Sequence, residues 1–243
     1  MVRFQGDTIN IPIIMTCTVK IQDSSAKVSS SSFRLEEYRM ALNYWIDKGF
    51  KKIYILENSG IEIITDEIFL KAKMSNCTLK QVNISATEEL IRIKGKGYGE
   101  GEMLLKFLEG DVEIDDYFVK VTGRIIILNC FPILETVVRN KLNCLFYRNS
   151  KENLDTRFYV SRKDFYMENL AKAHLYVDDK KCFYLENSFS KSLSDLKKKL
   201  VSTAYPVVRG ISGSTGESYQ LNRFKLFIKS IMCKFGLIAE AYK

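Results

Sequence analysis

The chain has 243 residues, 46% of them hydrophobic and 27% charged, which supplies one large or two small cores and argues against a disordered chain. Six scattered cysteines without a Cys-x-x-Cys pair, and His174 as the single histidine, argue against a structural zinc site. A net charge of +8 favours an anionic partner: nucleic acid, nucleotide or an anionic membrane surface.

Residues 9–21, INIPIIMTCTVKI, form a β-rich apolar run and predict a buried strand. No apolar run approaches the ~18 residues needed to cross a bilayer. Arg3, Gln5, Asp7 and Asn10 break up the first ten residues, so a cytoplasmic protein with reduced, buried thiols is expected. A polar loop, 23–32, ends in serines able to cap a helix. That helix runs from Phe33, with Phe33, Tyr38, Leu42, Trp45 and Ile46 near one face and Gly49 as its stop. A second strand (51–60), a short helix (65–75) and a third strand (78–85) follow.

The segment KGKGYGEGEMLLKFLE, 94–109, then places Gly95, Gly97, Gly99 and Gly101 before an amphipathic helix. Bare backbone leading into a helix N-terminus predicts a loop that receives an anion, most simply a phosphate. The spacing matches neither GxxxxGK[ST] nor GxGxxG, whose third glycine would fall at 100. An apolar strand, 116–129, closes the series.

Strand and helix alternating over about 120 residues predict an α/β fold, a mostly parallel sheet covered on both faces, with ligands at the strand C-terminal ends. Residues 1–130 read as the ligand-binding half. Residues 131–243 read as a less regular, more helical acceptor-side part of one continuous domain, beginning with a helix (131–143) and a short strand (144–149).

The serine-rich first loop, a second strand ending in ENSG, a glycine-rich segment entering a helix and an apolar fourth strand together resemble the nucleotide-sugar-binding half of GT-A glycosyltransferases, over residues 9–130. The segments KGYGEGEMLLKFLE, FVKVTGR and VVRGISGSTG also resemble small bacterial glycosyltransferase-like proteins of capsule and lipopolysaccharide gene clusters. The resemblance implies a GT-A-like, Rossmann-type sheet, a nucleotide-sugar donor, and a bacterial surface-glycan or lipid-linked acceptor. It implies a donor site at Gly97, Tyr98, Gly99, Gly101, Lys120, Thr122, Arg124 and Asn58.

In that family the fourth strand ends in a metal-binding Asp-x-Asp, and here the place reads FVKVTGR. Strand alternation sets Lys120, Thr122 and Arg124 on one side, where the two cations can neutralise a diphosphate directly. No metal and no obligatory cofactor is therefore expected. The base that takes the acceptor proton is sought among carboxylates: Glu186 and Asp155 at strand ends, and Glu102 in the first turn of the helix behind the glycines. His174, in AKAHLYV, reads as a packed histidine.

A second small-residue loop, RGISGSTGESY, offers Arg209, Gly210, Ser212 and Ser214 as a possible cover for donor or acceptor. Residues 220–238 space Leu221, Phe224, Phe227, Ile228, Ile231 and Phe235 helically among Arg223, Lys225, Lys229 and Lys234. Such a helix either packs on the core or lies peripherally on an anionic membrane. Two other functions stay open. One is a nucleic-acid-binding module, which the charge and the 12% aromatic residues favour and against which stand the lack of any RRM, KH or zinc-finger signature and a dispersed set of basic residues. The other is a non-catalytic sugar-nucleotide-binding subunit.

Overall fold

A computed structural model describes residues 10–20, 30–110, 112–114, 116–148, 150, 152–212, 216, 218–219 and 222–243. In chain order the elements begin with β1 (Ile13–Cys17), α1 (Ser31–Asp47), β2 (Lys52–Glu57), α2 (Asp66–Met74) and β3 (Thr78–Asn83). Helices α3 (Glu88–Lys94) and α4 (Lys96–Glu109) and strands β4 (Tyr117–Thr122) and β5 (Ile125–Ile127) follow. The second half adds α5 (Cys130–Asn140), β6 (Cys144–Tyr147), β7 (Phe158–Arg162), α6 (Lys163–Asn169), α7 (Leu185–Ser192), β8 (Lys198–Lys199), β9 (Val208–Gly210), α8 (Arg223–Lys234) and β10 (Ala239–Tyr242).

Strands β3, β2, β1 and β4 lie side by side and parallel, with Ile13 opposite both Ile53 and Val119. Every residue of β1 is buried, as a strand covered on both faces requires. The sheet continues beyond β4 through β7, β6, β10 and β8, all antiparallel, so one eight-stranded sheet runs through both halves of the chain. The expected α/β class is what the chain adopts, with helices on both faces.

One face of the sheet packs on α1, α2 and α5, through Tyr38, Trp45, Ile68 and Leu134. The other packs on α4, α6 and α7, through Leu104, Phe107, Tyr166 and Phe189. The Ser30 hydroxyl caps α1 by accepting from the Phe33 N–H at 3.3 Å, as the serine run suggests. Five of the six cysteines are buried and none is bridged, but Cys182 is exposed. No helix among the described residues is long and apolar enough to cross a membrane.

One element is additional and one expectation needs correction. Helix α3 occupies 88–94, between the expected third strand and the glycine segment. The single strand expected over 116–129 is broken after Thr122, and β5 leaves the main sheet to pair with β9. Gly123 makes that break. A Cβ there would lie 2.4 Å from Cys17 Sγ and 2.9 Å from the Tyr38 ring, so the chain passes α1 only without a side chain.

Candidate functional site

The glycine segment is not a loop. Gly97, Gly99 and Gly101 are residues of α4, and what fills the space they leave is protein. A Cβ on Gly101 would lie 2.3 Å from His174 Cβ, one on Gly99 2.8 Å from Ile91 Cδ1, and one on Gly97 3.1 Å from Leu185 Cβ. Tyr98 is buried, with its ring 5.1 Å from that of His174. The N-terminus of α4 does receive an anion, but it is the Asp179 carboxylate, which accepts from the Lys96 N–H. Gly95 (φ +109°) leaves room for it, since a Cβ would overlap Asp179 at 1.9 Å. The expected phosphate loop is thus a tightly packed helix whose N-terminus is already capped from within the chain.

A polar cluster lies where β1 and β4 end. Thr16 and Thr122 are opposite one another in register, and Lys120 lies on the same face of β4 as Thr122. The Lys120 ammonium, almost wholly buried, donates to a Glu100 carboxylate oxygen, to the Thr156 carbonyl at 2.7 Å and to the Thr122 hydroxyl at 3.3 Å. The Thr16 hydroxyl donates to the same Glu100 oxygen at 2.9 Å. On the far side the Thr156 hydroxyl donates to Glu186 at 3.0 Å. Burial raises the Glu186 carboxyl above its ordinary value, and the neighbouring Glu100 charge adds to the rise.

Glu100 and Glu186 line a cavity of about 50 Å³ with Lys96, Gly97, Asp179, Tyr184 and Leu185. Its size suits a reacting group, not a whole nucleotide sugar. Burial raises the Asp179 carboxyl as well.

Arg124 does not share the Lys120 face. The break at Gly123 turns it towards α1, where it is buried and donates to Glu37 at 2.8 Å, with its guanidinium 6.0 Å from the Tyr38 ring centre. That is a closed ion pair, and it corrects the expectation of a phosphate-facing arginine. Beside it Arg34 donates to the Thr18 carbonyl. At the end of β2, Glu57 is fully buried and accepts from the N–H groups of Val19 (3.0 Å), Ser59 (2.8 Å) and Ile61 (3.0 Å), which fixes the turns after β1 and β2 together. Asn58, next in the chain, has a buried Oδ1 with no hydrogen-bond partner among the described residues.

The remaining expected residues separate. Glu102 is buried and accepts from the Thr87 N–H (2.7 Å) and hydroxyl (2.8 Å), and it pairs with Lys106 at 3.0 Å. Burial pushes its carboxyl up, but these partners outweigh it and hold it below the ordinary value, so Glu102 anchors the start of α3. Asp155 is held by Arg157 through Nε at 2.8 Å and Nη2 at 2.6 Å. Arg209 is exposed on β9, Gly210 pairs with Ile125, and Ser212 is buried. Ser214 lies outside the described residues. Glu186 was expected at a strand end and stands in the first turn of α7. Glu100, Thr16, Thr156 and Lys96 were not singled out by sequence, and only the glycines around Glu100 marked its neighbourhood.

No protein-family model matches the chain, and no curated protein matches it. Solved structures similar to it include an active-site mutant of LgtC (TM-score 0.48, 9% identity, 75% of this chain and 70% of that one covered). Core-mannan synthase A of Aspergillus fumigatus in its Mn/GDP form gives TM-score 0.39 and 11% identity, covering 76% and 69%. A Bacillus anthracis protein proposed to be a glucose-1-phosphate thymidylyltransferase gives TM-score 0.43 and 10% identity, covering 93% and 95%.

Proposed function

We propose that the chain transfers a sugar from a nucleotide sugar to an acceptor hydroxyl, with Glu186 as the base. The observation that carries this reading is the cluster at the C-terminal ends of β1 and β4, the place where open parallel sheets bind ligands. There a buried cation, Lys120, stands beside a carboxyl, Glu186, whose proton affinity is raised above its ordinary value by burial, as suits a base. In the reaction the acceptor oxygen forms a bond to the sugar's anomeric carbon and gives its proton to Glu186. The bond from that carbon to the diphosphate breaks, and the leaving nucleoside diphosphate takes the electron pair. Lys120 and Lys96 supply positive charge on the leaving side.

The resemblance in sequence suggests the acceptor class, a surface glycan or lipid-linked hydroxyl as in capsule and lipopolysaccharide assembly. Where the resembled family places Asp-x-Asp, Thr122, Gly123 and Arg124 offer no carboxylate, and the described residues hold no group of three His, Cys, Asp or Glu able to take a metal. That donor set does not fit a divalent ion, and no step is assigned to one. Turnover of the productive member of a UDP-, GDP- and CMP-sugar panel should therefore survive EDTA. Loss restored by Mg²⁺ or Mn²⁺ contradicts the metal-free reading.

The main test is Glu186→Gln. It should lower turnover by about 100-fold or more while donor affinity holds, and the rising acid limb of the pH–rate profile that Glu186 sets should disappear. Unchanged turnover removes Glu186 from the chemistry.

A further inference from the structure

The positive charge is not dispersed along the chain. Residues 196–238 contain eight Lys or Arg and one Glu, a net +7, while the whole chain is +8, so the other 200 residues are within one charge of neutral. The same stretch carries α8, and its apolar ladder faces solvent. Phe224, Ile228, Ile231 and Phe235 recur at three- or four-residue spacing on one face and are 71%, 41%, 38% and 67% exposed. Cys233, on the opposite side, is the buried residue of the helix. A helix that docks on a core turns its apolar stripe the other way.

Leu200 and Leu237, 77% and 65% exposed, extend the patch. The two segments meet at Gly236, where a Cβ would lie 2.4 Å from Leu200 Cδ1. Arg223, Lys225 and Lys234 are exposed at the flanks of the ladder. A contiguous apolar patch rimmed by cations marks an interaction surface.

We propose that this face, α8 with the Leu200 and Leu237 corner, binds an anionic lipid membrane surface, with rings and leucines at the headgroup–acyl boundary and the flanking cations among lipid phosphates. Charge selects this occupant. A second copy would set Arg223, Lys225 and Lys234 against the same three cations, and a nucleic acid would engage the cations while leaving the aliphatic corner in water. An anionic bilayer meets both the charge and the apolar surface.

The test is co-sedimentation of the full chain with vesicles of phosphatidylcholine alone or mixed with phosphatidylglycerol, at low and high salt. The chain should sediment with the mixed vesicles, less so at high salt, and not with the neutral ones. Lys225→Ala with Lys234→Ala should weaken binding roughly 25-fold, about fivefold for each cation. Phe224→Ser with Phe235→Ser should abolish binding with an unchanged melting temperature, because both rings are already in water. No binding to mixed vesicles, or equal binding to both kinds, overturns the proposal. So does a single-stranded oligonucleotide or a self-associated dimer that depends on the same two phenylalanines while vesicles do not.

Discussion

Lys120 and Arg124 stand four residues apart at the end of β4, each buried and each facing a glutamate, yet their surroundings differ. Lys120 shares Glu100 with Thr16, touches Thr122 and Thr156, and adjoins a cavity lined by a second carboxyl, Glu186. Arg124 meets Glu37 behind the Tyr38 ring. A closed pair of this kind holds helix to sheet. A charge with several partners, one of them Glu100 on the wall of a cavity, can exchange those partners for a ligand. Burial of a cation therefore says little about function until what lies beside it is known.

The comparison is broken most forcefully at Arg124. Arg124→Met leaves Glu37 buried without a partner and should cost about 3–5 kcal/mol in denaturant unfolding, whereas Glu37→Met with Arg124→Met should recover most of that loss. A single variant as stable as the wild type would mean that water reaches the pair, and the contrast with Lys120 would fail.

Next in size are the glycines of α4, which support the Lys120 side from behind. Alanine inside a helix usually adds about 1 kcal/mol over glycine. Gly101→Ala should instead lose about 1–3 kcal/mol, because its Cβ meets the His174 Cβ, which is fixed to its backbone. Gly99→Ala should lose less, since the Ile91 Cδ1 it meets is the free end of a flexible side chain. Thermal unfolding of the two checks the order, and a gain at Gly101 would show that α4 is not packed in this way.

The parallel strands were legible because each is an apolar run bounded by turn residues, and Glu57, Asn58 and the Thr16 region fall at their ends. The glycine segment was misleading for a physical reason. Glycines spaced by two look like a loop unless the side chains that fill them are known, and three of those four, His174, Asp179 and Leu185, come from more than seventy residues away in sequence, with Ile91 beside Gly99 the local one. Arg124 was misplaced because period-two alternation holds only while the strand continues, and Gly123 ends it. Glu186 was found as a carboxylate beside an apolar run. Its partner Thr156 had no signal, since it acts through a carbonyl as well as a hydroxyl. The outward face of α8 was legible as a pattern but not as a direction, because the same periodicity serves core and surface.

The most direct measurement titrates UDP-, GDP- and CMP-sugars into the wild type, Lys120→Met and the Glu37→Met/Arg124→Met pair, by calorimetry. At least one donor should bind the wild type, about tenfold or more weaker to Lys120→Met, a loss of at least ~1.4 kcal/mol, and unchanged to the double variant. Binding by none of the donors, or equal weakening in both variants, would contradict the assignment of the donor's diphosphate to the neighbourhood of Lys120.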